Sequence, residues 1–221
     1  MEIQQIEKAK ALNSRSQELG RALMEGYPSG HQIAAEIVAH AEVNLMENLF
    51  DLGDTDAAWT LMKAFEQESK GGDFTRSRDR WGSRLDALAA TILLDREDAA
   101  QAEVIVLRNL RTAKREHVKK FEGRFLRLLG EVQMRRGQFD QAMISLGEAI
   151  LILGEVGNPR QLWQAHGSLA SGYERMGRSS EAREQWGAAA DLIRKVDSGL
   201  ADRQLREGFR NARQVRKILA K

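Results

Sequence analysis

The chain has 221 residues, of which 42% are apolar, 30% charged and 6% aromatic, with two prolines and no cysteine. That composition can supply a real core and fits an all-helical protein. The lack of cysteine excludes a disulfide framework and Cys-based zinc or thiol chemistry. No apolar run approaches the roughly 18 residues that a membrane span requires. The start, MEIQQIEKAK, has no apolar signal-peptide core. The expectation is a cytoplasmic protein without a membrane partner. Net charge is +2, unevenly spread: residues 1–70 carry 12 acids against 6 Lys/Arg, and residues 71–221 carry 28 Lys/Arg against 20 acids. Such a dipolar chain steers charged partners at low salt, over about 10 Å at 0.1 M. The solvated faces of long helices explain the same charges more simply.

In chain order, residues 1–30 predict an N-terminal helix. Ile3, Ile6, Ala9, Leu12, Leu19 and Leu23 recur at roughly helical spacing, and Gly26-Tyr27-Pro28-Ser29-Gly30 ends the run. It has no repeat partner and reads as a cap or as one helix of a degenerate unit. Residues 31–69 predict a helix pair broken at Gly53-Asp54, with Asp54 or Thr55 capping the second helix. Lys70 to Gly82 is the longest polar break and is expected to be an exposed, mobile loop, with Trp81 plugging the start of the next helix. Three further pairs follow over 83–120, 122–156 and 160–196. Glu97 stands where the later pairs carry a turn glycine, which weakens the case for a tight turn there. Residues 199–221 predict one capping helix with an apolar stripe of Leu205, Phe209, Ala212, Val215 and Leu219.

An offset of 40 residues superposes the last two pairs. Leu129-Gly130 falls on Leu169-Ala170, Gly137 on Gly177, Ala142 on Ala182, Leu146 on Trp186, and Ala149 on Ala189. Ala102 continues the series backwards from Ala142. Small residues at fixed places let helices approach closely, and Leu126, Leu129, Leu146, Leu169, Tyr173 and Trp186 fill the gaps beside them. Each pair leaves an apolar face bare, so pairs stack and the ends need caps. The motif Leu169-Ala170, Tyr173, Gly177, Ala182, Trp186, Ala189 resembles the tetratricopeptide repeat (TPR), in a variant with a 40-residue instead of a 34-residue period. It is similar to the longer repeats of bacterial signalling and transcription regulators. The resemblance implies an all-α, right-handed α-solenoid of four antiparallel helix pairs with a C-terminal capping helix, forming a single TPR-like domain over 1–221.

The resemblance also implies a function and a surface. The family binds partner segments in a concave groove lined by the first helix of each pair. Carried over, the groove positions are Asn44, Glu47 and Phe50 from the first pair, and Arg84, Leu88 and Thr91 from the second. The third pair supplies Arg124, Arg127, Glu131, Met134 and Arg135, and the fourth Ser171 and Arg175. The third pair is the most basic, so a protein or peptide partner of acidic character is expected, held by charge-assisted hydrogen bonds. Glu131 and Glu174 could instead neutralise this face from within. Val43 and Glu47 stand where a chaperone-tail receptor would carry Lys and Asn, which disfavours that client. The function expected is that of an interaction scaffold or adaptor. The alternative is a sensory or regulatory module of a bacterial regulator, and less so a nucleic-acid-binding repeat. The basic run Arg108, Arg111, Lys114, Arg115, Lys119, Lys120, Arg124, Arg127 would serve the latter, but no aromatics are interleaved over 108–120 for base stacking. A homo-oligomer is open, with Met46, Phe50 and Leu94 as an apolar patch if the groove is unfilled. No catalysis and no cofactor are expected. His31, His40, His117 and His166 are scattered without metal-type spacing, and no GxxxxGK[ST] loop occurs.

Overall fold

A computed structural model describes residues 2–70, 74 and 78–221. These residues form eleven α-helices and a short 3-10 turn at Pro28–Gly30, and no strand occurs among them. The chain divides into two compact units, Met1–Ile92 and Leu93–Lys221.

The first unit contains α1 (Glu2–Gly26), α2 (His31–Leu52), α3 (Thr55–Glu68) and most of α4 (Arg78–Asp95). Gly53 ends α2 in the left-handed conformation (φ 90°), and the Asp54 side chain accepts from Ala57 N at 3.1 Å to start α3. Val38, Met46, Met62, Phe65 and Trp81 fill the core of this unit. Phe65 packs edge-on to Phe74 and against Trp81, with ring centroids 5.4 and 4.9 Å away. Trp81 therefore plugs the start of α4, as its place in the sequence suggests. Of the loop expected over Lys70 to Gly82, residues 71–73 and 75–77 lie outside the described residues. Phe74 is buried and α4 has begun by Arg78, so the break is shorter than its polarity suggests.

Helix α1 packs along α2, but not on the leucine stripe that the sequence offers. Leu12, Leu19 and Leu23 face solvent. The packed side is about a quarter-turn round and carries Ile6, Ala9, Asn13, Gln17 and Gly20. A β-carbon on Gly20 would lie 2.7 Å from the Val38 side chain, so this glycine permits the close approach.

The second unit is strictly metered. Helices α5 (Ala99–Arg115), α6 (Lys119–Arg135), α7 (Phe139–Val156), α8 (Pro159–Arg175) and α9 (Ser179–Gly199) start 20 residues apart. Each link reverses the chain through one left-handed residue: Glu97 (φ 63°), His117 (55°), Gly137 (75°), Gly157 (71°) and Gly177 (73°). The next residue's N–H bonds back to the carbonyl five positions earlier, as in Asp98 to Leu93, Val118 to Ala113, Gln138 to Gln133, Asn158 to Leu153 and Arg178 to Tyr173. This is the Schellman closure of a helix end. The turn at Glu97 is as tight as the glycine turns, contrary to the expectation from its side chain.

Neighbouring helices pack from α5 through α9, and α6 also touches α8. The predicted small positions hold the contacts. Gly130, Ala142, Ala149, Ala170, Ala182 and Ala189 are all buried. A β-carbon at Gly130 would sit 2.5 Å from Leu146, and one at Gly123 would sit 2.7 Å from Leu153. Two glycines seven residues apart thus receive two leucines of the antiparallel α7. In the next pair the same positions are Trp163 with Ile193 and Ala170 with Trp186, joined in one core cluster.

The C-terminal segment is not one helix. It breaks at Ala212 (ψ 128°) into α10 (Arg203–Asn211) and α11 (Arg213–Leu219). The break resets the helical phase, so Val215 and Ile218 are buried while Leu205 and Leu219 of the expected stripe are exposed. Phe209 meets Trp163 edge-on at 5.7 Å, and Val215 and Ile218 complete the cluster over α8 and α9.

Candidate functional site

In the first unit three of the predicted site residues, Asn44, Glu47 and Arg84, form a polar chain between helices. Arg84 on α4 donates to Asn44 Oδ1 at 2.8 Å and to Glu47 Oε2 at 2.7 Å on α2. Asn44 donates on to Asn13 of α1 at 3.2 Å, and Asn13 donates to Asn48 at 2.9 Å. Asn44, Glu47, Arg84, Phe50 and Thr91 are half-buried, and Leu88 is buried. The Thr91 hydroxyl is turned back onto the Ala87 carbonyl at 2.8 Å. Helical spacing of Asn44 and Glu47 on α2 brings both within reach of one guanidinium.

One turn away lies a cluster that the sequence reading missed. Glu42 is only 2% exposed. Its Oε1 accepts from Gln17 and, at 2.9 Å, from Arg21, while Oε2 has no partner. Arg21 also grips Glu68 on α3 at 2.6 and 2.9 Å. Hydrogen bonding to Glu68, then to Glu42, holds the guanidinium proton more tightly than usual against the opposing effect of burial. The signal was present in the sequence as polar residues at helical spacing, Asn13, Gln17 and Arg21, on a helix whose leucines drew attention instead.

In the second unit α6 and α8 bring together the most basic predicted residues. Arg127 and Glu131, one turn apart on α6, form an ion pair, and Ser168 of α8 donates to the same Glu131 oxygen at 2.6 Å. Arg127 is buried, so its charge is spent on Glu131. Arg124 and Ser171 are half-buried. Met134 is buried, packed with Leu146 and Leu169. Arg135 is exposed and forms no ion pair with any described residue. Arg175 is exposed, donates to the Met134 carbonyl at 3.1 Å, and lies 5.3 Å from the Phe139 ring centre.

Glu174 accepts from Trp186 Nε1 at 3.0 Å and from Lys221 at 2.9 Å. The Lys221 ammonium is the main reason its carboxyl titrates below the usual range. His166 bonds Gln185 of α9 at 2.8 Å and so ties two packed helices together. The apolar patch expected from Met46, Phe50 and Leu94 is not presented, because Met46 and Leu94 are each buried.

Among the described residues no three His, Asp or Glu side chains are placed to hold a metal ion, and no helix is long and apolar enough to cross a membrane. No protein-family model matches the chain, and no curated protein matches it.

Proposed function

We propose that this protein is a TPR-like interaction scaffold: stacked helix pairs of an α-solenoid whose first-helix face receives a segment of a partner protein. The observation that carries this reading is the 20-residue meter of α5 to α9, with a left-handed turn residue at every step and α6 touching α8 across α7. Repetition of one supersecondary unit builds a surface that grows by stacking, which suits extended segments better than small substrates. The partner segment is acidic. On the α6–α8 face the one buried cation, Arg127, is neutralised internally, which leaves exposed Arg135 and Arg175 as the groups that can take a carboxylate.

The test is fluorescence polarisation with labelled Glu/Asp-rich and Ser/Gly-rich peptides of equal length. Wild type is expected to favour the acidic peptide, and Arg135→Glu/Arg175→Glu to lose at least about tenfold in affinity, the effect of about 1.4 kcal/mol. Equal binding of the two peptides, or an acidic preference that survives the reversal, would sink the assignment of this face.

A further inference from the structure

The outward faces of α5 and α7 differ from ordinary solvated helix faces, and they differ in opposite senses. The buried side of α5 is Ala102, Val106, Asn109, Leu110 and Ala113. Its opposite side is one stripe of Val104, Leu107, Arg108, Arg111, Lys114 and Arg115, all exposed and none acidic, with Arg115 paired at 3.0 Å to Glu116 just past the helix end. The matching stripe of α7 is Ile144, Glu148, Leu151 and Glu155, also exposed, on a helix with no Lys or Arg at all. Val104, Ile144 and Leu151 are 67%, 64% and 71% exposed, among the barest large apolar side chains of the protein. Neither Glu148 nor Glu155 forms an ion pair with any described residue, and neither do Arg111 and Lys114.

A further oddity sits on α7. Gly147 and Gly154 flank its stripe, seven residues apart, and a β-carbon at either would meet nothing within 4 Å. Glycine in a helix interior costs stability relative to alanine, and no close neighbour in this chain explains it here. Small residues beside an exposed aliphatic row are what a second helix needs to approach closely.

We infer that the α5 and α7 stripes together form a self-complementary surface that pairs two copies of this chain. The two helices run in the same direction, since each three-dimensional reversal between them is undone by the next through α6. A two-fold axis parallel to them therefore lays α5 of one copy on α7 of the other, and the reverse, at the same height. The 40-residue register then sets Arg108, Arg111 and Arg115 of one copy within a helical turn of Glu148 and Glu155 of the other, around an aliphatic centre of Val104, Leu107, Ile144 and Leu151. Each contact occurs twice, as an isologous interface requires. Charge of one sign on each stripe also excludes pairing α5 with α5 or α7 with α7. The surface is independent of the first-helix face proposed to bind a partner.

The experiment is light scattering with sedimentation on the full chain. Wild type is expected to be a dimer that dissociates as salt is raised. Glu148→Arg/Glu155→Arg and Arg108→Glu/Arg111→Glu/Arg115→Glu are each expected to be monomeric with unchanged helix content. An equimolar mixture of the two is expected to restore a dimer, because both seams are again of opposite charge. Gly147→Leu is expected to lose the dimer while keeping the helix content of wild type, which a folding defect would not produce. A monomeric wild type, a dimer that survives both reversals, or a mixture that stays monomeric while both variants remain folded would each overturn the inference.

Discussion

His117 and Glu97 show what one backbone position demands of its side chain. Both occupy the left-handed conformation that glycine supplies at 137, 157 and 177. A residue with a β-carbon is strained there by about 1–2 kcal/mol, offset in part by the greater freedom that glycine gains on unfolding. His117→Gly is therefore expected to stabilise the fold by about 0.5–1 kcal/mol, and Glu97→Gly by a similar amount. Gly137→Ala is expected to destabilise by about 1 kcal/mol or more. Thermal denaturation of the three variants checks this, and a His117→Gly melt at or below wild type would mean that the imidazole makes a compensating contact. The glycine turns were legible because glycine announces itself. The turn at Glu97 was not, since a link of this length imposes the conformation on whatever residue stands there.

Helices in this chain are held by two kinds of seam, and only one kind was readable. The Leu and Ala periodicity of α6 to α9 pointed to buried positions that the structure fills, down to Gly130 under Leu146. Two seams ran against the pattern: α1 turns its leucines outward in favour of Asn13, Gln17 and Arg21, and the C-terminal helix breaks at Ala212. A polar seam has no periodic apolar signal, because its stability depends on partners distant in sequence, such as Glu42 for Gln17. The C-terminal helices make this testable. Besides the Trp163 cluster, α10 and α11 are tied by Arg210 to Asp197 and by Lys221 to Glu174. Hydrogen bonds from those cations hold both carboxyls below the usual carboxylate range. A carboxyl that binds its proton less tightly in the folded state stabilises the fold above its unfolded pKa. That contribution is lost as pH falls through and below the ordinary range of about 4. With α11 only seven residues long, it is the element to go first. Hydrogen exchange, corrected for intrinsic rates, is expected to show residues 203–219 losing protection on acidification before α6 and α7. Lys221→Met is expected to flatten that pH response for α11, and unchanged pH dependence in the variant would detach Glu174 from the effect.

At the scale of the whole molecule, the two compact units carry opposite charge. Residues 1–92 hold 15 acids against 10 Lys/Arg, and residues 93–221 hold 17 acids against 24 Lys/Arg. The acidic head and basic body seen in the sequence thus map onto structural units, and the acidic-partner reading belongs to the second of them. A unit with its own core can open on its own, and helical arrays that pack neighbour on neighbour transmit damage only as far as their contacts reach. Ala142 is fully buried in the second unit, one turn from Leu146. Enlarging it in Ala142→Leu forces α6 and α7 apart and is expected to cost about 1–3 kcal/mol. That loss should appear as faster exchange across α5 to α9, while the amides of α2, around Val38 and Met46, keep their wild-type protection. Equal loss in α2 would show that the units unfold as one. No loss anywhere would mean that residue 142 is not a packing position, and the 40-residue register that places Gly130, Ala142 and Ala182 would fall with it.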